Sequence, residues 1–120
     1  MKTYKGFITI LPDNGIFVFG SNTQGRHGKG SALIAKQKFG AIYGQAEGLQ
    51  GQSYAIVTKD LTKSVHPSIL ESSIKEQIIL LYYYANKNPN LDYYIAYNGT
   101  KINLNGYSNE EIAKIFISFK

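Results

Sequence analysis

Ile16-Phe17-Val18-Phe19 is the stretch of this 120-residue chain that decides the fold. It holds four β-prone apolar residues with no polar interruption, a pattern typical of strands that are covered on both faces, as in α/β sheets. A glycine-rich segment, residues 20–30, follows and is expected to form a loop. Residues 31–39 then have helix-forming composition and stop at Gly40. This stretch therefore predicts a buried strand, a loop and a helix, in that order.

The rest of the chain continues the alternation of strands and helices. Further strands are predicted at residues 6–11, 54–58 and 93–97, and a last helix is predicted over residues 108–119 after a Ser-x-x-Glu capping box. Alternation of this kind favours a layered α/β domain with a mixed, mostly parallel sheet. No linker or internal repeat divides the chain, so we expect residues 1–120 to form one domain.

The longest helix is predicted from its apolar spacing. Leu70, Ile74, Ile78 and Leu81 recur at the interval of one helix face. Residues 66–68 are expected to open this helix, because the proline at position 67 suits a first turn. Residues 88–90, Asn-Pro-Asn, are expected to end it.

Composition excludes several classes of protein. The chain has no cysteine, which rules out disulfides, thiolate metal ligands and a cysteine nucleophile. With only two histidines, neither a metal site nor another cofactor is expected. No apolar run is long enough for a membrane-spanning helix or a signal peptide. We therefore expect a cytoplasmic domain without a membrane partner.

Charge and glycine are both concentrated in the first half of the chain. Residues 1–64 contain eight Lys or Arg and three Asp or Glu, a net charge of +5, whereas residues 65–120 have a net charge of zero. Nine of the twelve glycines lie between positions 15 and 51. A basic, glycine-rich segment suggests an anionic ligand held close to the backbone.

The loop over residues 20–30 is the strongest candidate for that ligand site. It contains four glycines together with Asn22, Arg26 and Lys29. It matches neither the P-loop pattern nor the dinucleotide-binding G-x-G-x-x-G pattern. Ligands of parallel α/β sheets usually bind beyond the carboxyl ends of the strands. Residues 20–30 and residues 98–107 are both expected there, each ahead of a helix whose N-terminus suits phosphate.

The run from Gly28-Lys29-Gly30-Ser31-Ala32-Leu33 to Lys36 and Phe39 resembles the G-K-G-x-A-L-x-x-K-x-x-F run of macro domains. The resemblance covers residues 16–60 well and residues 93–116 weakly. It implies a three-layer α/β/α sandwich of macro type that binds ADP-ribose or a related nucleotide diphosphate. The Gly-Lys-Gly form is most similar to the lysine-dependent ADP-ribosylglycohydrolase branch and to uncharacterised bacterial and phage macro-like proteins.

The resemblance also implies the residues of the site. Lys29 would be the catalytic nucleophile of a glycohydrolase. Asn105 stands where that branch carries an assisting aspartate, and an amide cannot act as a general acid or base near neutral pH. The ligand-binding residues implied in the first loop are Gly20, Ser21, Asn22, Gly25, Arg26, Gly28 and Gly30. Those in the second loop are Lys101, Asn103, Asn105, Gly106 and Tyr107.

Three functions stay open from the sequence. The first is binding of an ADP-ribose-like nucleotide. The second is hydrolysis that removes ADP-ribose from a macromolecule, with Lys29 as nucleophile and the ADP-ribosylated macromolecule as partner. The third is a nucleic-acid-binding module that uses the basic first half, for which affinity should fall steeply with salt.

Asp60 is a separate candidate, because it follows a predicted strand directly. It either places a carboxylate at the pocket or belongs to a surface turn, and we interpret it as part of a surface turn.

Overall fold

The computed structural model describes residues 2–5, 8, 10–28, 30–65 and 68–97. Within these residues the chain forms five strands and two helices in an α/β arrangement. In chain order they are β1 (Lys2–Lys5), β2 (Gly15–Asn22), α1 (Gly30–Lys38), β3 (Gly48–Gln50), β4 (Ser53–Lys59), α2 (Glu71–Lys87) and β5 (Asp92–Tyr97).

The sheet is mixed and mostly parallel, as predicted. Its strand order is β1-β5-β2-β4-β3. The neighbouring pairs β1–β5, β5–β2 and β2–β4 are parallel, and β3 alone runs antiparallel to its neighbour β4. The uninterrupted apolar run of residues 16–19 lies in β2 at the centre of the sheet, where both faces are covered.

In the part of the chain that the structure describes, each face of the sheet carries one helix. Ile16 and Val18 of β2 pack with Ile74, Ile78 and Leu81 of α2 on one face. The alternate β2 residues, which are Phe17 and Phe19, pack with Ala32, Ala35 and Phe39 on the other face. Ile74, Ile78 and Leu81 are fully buried, and burial of a side chain of this size stabilises the fold by about 1.5–3 kcal/mol relative to exposure.

Tyr93 and Tyr94 follow the same alternation in β5. Tyr93 faces the α2 side and Tyr94 the α1 side. Burial, with Tyr84 and Tyr54 close by, raises the pKa of the Tyr93 hydroxyl to about 12. That hydroxyl is buried and has no hydrogen-bond partner among the described residues. Tyr93 therefore contributes apolar area to the core while its polar atom is unsatisfied.

Gln77 of α2 connects this helix to the free part of the β4 edge. β3 pairs only with residues 53–55 of β4, so the backbone of Val57 lies beyond it. The N–H of Val57 donates to Gln77 Oε1 at 2.6 Å, and Gln77 Nε2 donates to the carbonyl oxygen of Val57 at 2.8 Å. The side-chain amide thus takes the place that a neighbouring strand would occupy.

Three sequence predictions of element bounds are wrong in part, and one strand was not predicted. Ile8, Ile10 and Leu11 lie outside any strand, and β1 instead covers Lys2–Lys5; Ile10 is 85% exposed, so it has no core to face. The short strand β3 was not predicted. The long helix begins at Glu71 rather than at residues 66–68, and Leu70 is 73% exposed ahead of it. Gly20 and Ser21 belong to β2 rather than to a loop, because they pair with Ile56 and Val57 of β4.

The other elements agree with the predictions. Helix α1, strand β4, strand β5 and the end of α2 at Lys87 lie where the sequence places them. The helix predicted over residues 108–119 lies outside the described residues.

Candidate functional site

The candidate site lies at the carboxyl edge of the parallel strands. β2 ends at Asn22, and β4 ends beside it at Lys59, with Asn22 and Lys59 aligned as partners across a bulge. β5 is parallel to β2 and ends at the same edge. The segment that joins β2 to α1, residues 23–29, therefore stands where ligands of parallel α/β sheets bind.

Asn22 organises this segment with its side-chain amide. Asn22 Oδ1 accepts the N–H groups of Gln24 at 3.2 Å and Arg26 at 2.9 Å, and Nδ2 donates to the carbonyl oxygen of Arg26 at 2.9 Å. The N–H of Gly25 donates to the backbone oxygen of Asn22 at 3.0 Å. The N–H groups of residues 24–26 are therefore satisfied inside the loop, and the asparagine fixes the loop's shape.

Gly25 holds the loop against a neighbouring turn. It is buried, with φ at +65°, and a Cβ there would lie 2.6 Å from the carbonyl carbon of Gly44. The N–H of Gly44 also donates to the oxygen of Gly25 at 2.9 Å. This glycine is thus explained by close backbone packing and by a left-handed conformation that side chains disfavour.

His27 anchors the loop from the inside. It is 1% exposed, and its ring meets the ring of Phe19 edge-on at 5.1 Å. Its Nε2 lies 3.2 Å from the carbonyl oxygen of Gln45 and 3.1 Å from Gln50 Oε1. Both are acceptors, so Nε2 carries a hydrogen that it donates to them. Nδ1 is buried and has no hydrogen-bond partner in the described part of the chain.

Gln50 completes this anchor. Its Oε1 also accepts the N–H of Ile42 at 2.8 Å, and its Nε2 donates to the backbone oxygens of Gln45 and Gly48. The loop, the turn over residues 42–45 and strand β3 are therefore joined through two buried polar side chains, His27 and Gln50. The sequence contained no signal for this network, because its members are separated by up to 23 positions.

The chain opens to solvent directly around His27. Arg26, Gly28 and Gly30 are exposed, and a Cβ added at Gly28 or at Gly30 would meet no atom of the described residues within 4 Å. Gly30 has φ at +57° and begins α1. The first N–H groups of a helix have no partner within the helix and carry the positive end of its dipole. This stretch combines open backbone with the positive charge of Arg26.

An open cleft of about 500 Å³ lies beside the loop. Its lining includes Thr23 from the loop, Glu47 from the segment before β3, Val57 from β4, and Ser73 and Gln77 from α2. The loop and the cleft share Thr23, whose N–H donates to the carbonyl oxygen of Lys59 at 3.0 Å. The cleft is therefore continuous with the edge that carries the candidate site.

The interpretation of Asp60 as part of a surface turn is confirmed. Its Oδ1 accepts the N–H of Thr62 at 2.9 Å and the Thr62 hydroxyl at 2.6 Å, and the Thr23 hydroxyl lies at 3.5 Å. Hydrogen bonds from Thr62 are the main reason why the pKa of the Asp60 carboxyl lies below its ordinary value of 3.8. The carboxylate therefore shapes the turn after β4.

The sequence-predicted site residues divide into two groups. The structure gathers Gly20, Ser21, Asn22, Gly25, Arg26, Gly28 and Gly30 at the carboxyl end of β2 and in the segment after it. Ser21 is buried, and its hydroxyl lies 3.4 Å from the backbone oxygen of Asn22. Lys29, Lys101, Asn103, Asn105, Gly106 and Tyr107 lie outside the described residues. A role in ligand binding stays a prediction for both groups.

Two other kinds of feature are absent from the described residues. In that part of the chain, no group of three or more His, Cys, Asp or Glu side chains is placed to hold a metal ion. None of the helices described there has the length and apolar character needed to cross a membrane.

Comparison with known proteins adds no relative. The chain matches no protein family, no curated protein and no solved structure. Interpretation of the site therefore depends on its residues and their geometry.

Proposed function

We propose that this chain is a macro-like three-layer α/β/α sandwich that binds ADP-ribose or a related nucleotide diphosphate. The packing of α1 and α2 against opposite faces of a mostly parallel sheet supports the fold part of the proposal. The ligand would lie across the first loop, residues 23–29 between β2 and α1, and the second loop, residues 98–107.

The exposed backbone at Gly28 and Gly30, next to Arg26, is the observation that carries the proposal. Both glycines have open space where a side chain would stand. A diphosphate can therefore approach the main chain closely, as it does where glycines form anion-binding concavities. The guanidinium of Arg26 supplies a matching charge and a planar set of donors.

Asn22 and Gly25 support the site indirectly in this proposal. The amide of Asn22 is engaged with the backbone of residues 24 and 26, and Gly25 packs on the 44–45 turn. These two residues hold the loop in the shape that presents Gly28 outward. A loop fixed before the ligand arrives loses less conformational entropy on binding.

Gly28→Ala is the variant that tests the proposal most sharply. The backbone φ of Gly28 is not in the left-handed region, and its surroundings are open. The methyl group should therefore leave the melting temperature unchanged while it blocks close approach of a diphosphate. Calorimetric titration with ADP-ribose should show an affinity about tenfold lower or worse for Gly28→Ala, since tenfold corresponds to 1.4 kcal/mol.

Gln24→Ala is the matched control, because Gln24 is exposed in the same loop and its side chain makes no hydrogen bond within the described part of the chain. This variant should bind ADP-ribose as the unmodified chain does. The proposal is wrong if the unmodified chain gives no heat at millimolar ADP-ribose. It is also wrong if Gly28→Ala binds with unchanged affinity.

A further inference from the structure

Three large apolar side chains lie together on the outer face of helix α2. Ile79, Leu80 and Tyr83 are 49%, 56% and 60% exposed, and residues three or four positions apart are neighbours on a helix surface. The opposite face of the same helix packs on the sheet, so these three side chains are not part of the core. A contiguous exposed apolar group of this kind indicates a contact surface, whereas single exposed apolar residues are ordinary.

A charged residue stands at each end of this apolar group. Glu76 lies four positions before Leu80, and Lys87 lies four positions after Tyr83; both charged residues are exposed. The Nζ atom of Lys87 lies 4.4 Å from the centroid of the Tyr83 ring, which keeps the ammonium group beside the apolar side chains. We call Glu76, Leu80, Tyr83 and Lys87, with Ile79 at their side, the outer stripe of α2.

The spacing within the outer stripe is the same in both directions along the helix. Its intervals of four, three and four residues place the side chains on one line, as in the seam of a coiled coil. When two such helices lie antiparallel about a twofold axis midway between positions 80 and 83, Leu80 meets the partner's Tyr83. Glu76 then meets the partner's Lys87, and each contact occurs twice, as in an isologous interface. The stripe is therefore complementary to itself in apolar character and in charge.

The charges of the outer stripe favour this orientation over a parallel one. A parallel pair of the same helices would place Glu76 beside the partner's Glu76 and Lys87 beside the partner's Lys87. Like charges that face each other across an interface disfavour the pairing. An antiparallel pair also closes on itself, so association stops at two copies.

We infer that the outer stripe of α2 is the interface of a homodimer in which the α2 helices of two copies pack antiparallel. Three apolar side chains from each copy provide less contact than a standard interface, which buries about 800 Å² per partner. The dimer is therefore weak, with a Kd of about 10–100 µM. It does not depend on which ligand the candidate site binds.

Sedimentation equilibrium of the unmodified chain, from about 5 µM to about 1 mM, measures this association. The average mass should rise from the 13.4 kDa of one chain toward twice that value. Glu76→Lys and Lys87→Glu, each alone, set like charges against each other at both ends of the interface and should weaken the dimer about tenfold. The double variant, which carries both substitutions, restores opposite charges and should dimerise as the unmodified chain does.

Asp13→Lys is the control, because it makes the same change of charge as Glu76→Lys at an exposed position outside α2. This variant should dimerise as the unmodified chain does. The inference is overturned if the unmodified chain stays at 13.4 kDa up to about 1 mM, whatever other molecule covers the stripe. It is also overturned if Glu76→Lys dimerises with unchanged affinity or if the double variant fails to recover the dimer.

Discussion

Replacement of Gly25 by alanine tests how the candidate loop is held in place. An added Cβ would lie 2.6 Å from the carbonyl carbon of Gly44, and 2.8 Å and 2.9 Å from the backbone nitrogen and carbonyl carbon of Gln45. All three are backbone atoms, which cannot rotate away as a side chain would. The φ of +65° adds a second cost, because an alanine rarely adopts it.

The two costs can be estimated separately. A left-handed conformation costs an L-residue roughly 1–2 kcal/mol. Forcing extra atoms into a packed region costs about 1–3 kcal/mol more. Gly25→Ala should therefore lower the free energy of unfolding by roughly 2–5 kcal/mol, which is a large part of the about 5–15 kcal/mol that is typical of a domain.

Gly30→Ala isolates the first of these costs. Gly30 has a similar φ of +57°, but nothing lies within 4 Å of its added Cβ. Gly30→Ala should therefore lower the free energy of unfolding by only roughly 1–2 kcal/mol. Urea unfolding followed by far-ultraviolet circular dichroism suits this chain, which has no tryptophan. The difference between the variants should be about 1–3 kcal/mol at constant m-value. Equal losses in the two variants would refute the role assigned to the 44–45 turn.

Three other perturbations have outcomes set by single contacts. Tyr93→Phe removes a buried hydroxyl that has no partner among the described residues, so the free energy of unfolding in urea should rise by about 1 kcal/mol. Because the folded pKa of Tyr93 is raised to about 12, the unmodified chain should keep its full stability below pH 10 and lose stability as the pH rises toward 12. This alkaline loss of stability should be smaller in Tyr93→Phe. Gln77→Ala leaves the N–H and carbonyl of Val57 without their partner, and the free energy of unfolding in the same assay should fall by about 2–4 kcal/mol. A decrease no larger than that of an ordinary surface substitution would contradict this prediction. The folded pKa of Asp60 is lowered, chiefly by hydrogen bonds from Thr62, so the ionised carboxylate stabilises the fold above pH 3.8 and this stabilisation is lost as the pH falls through the lowered pKa. The free energies of unfolding of the unmodified chain and of Asp60→Ala should therefore converge on acidification. A difference that stays constant with pH would contradict this prediction.

The parts of the fold that local sequence specifies were predicted correctly. The apolar run of residues 16–19 has to be covered on both sides, and the strand predicted at residues 93–97 is present as β5. The same reasoning places α1 and most of α2. These signals are strong because burial of apolar side chains acts over short, regular spacings.

The errors occur where tertiary contacts decide the outcome. Leu70 has the correct spacing for the apolar face of α2, yet it precedes the helix and is exposed. β3 has only three residues and depends on pairing with β4, which local propensity does not reveal. β2 extends to Asn22 beyond its apolar run for the same reason.

The candidate site was predicted by composition rather than by geometry. Glycines and positive charge marked the segment after β2, and the structure places that segment at the carboxyl edge. The different tasks of its residues were not predictable. Gly25 packs against the 44–45 turn, whereas Gly28 faces open space. The ring of His27 points inward to Gln45 and Gln50, which are 18 and 23 positions away in the sequence. Such assignments depend on which distant backbone approaches each position.

The hydrogen bonds of Gln77 to Val57 also affect whether a strand from a second copy of this chain can pair with the β4 edge. A strand border with bare amide and carbonyl groups can recruit a strand from another molecule and start ordered aggregation. Here a side chain from a helix already occupies that position, so recruitment would first have to displace it. We therefore expect Gln77 to hinder the addition of a strand at Val57, the part of the β4 edge that the short strand β3 does not cover.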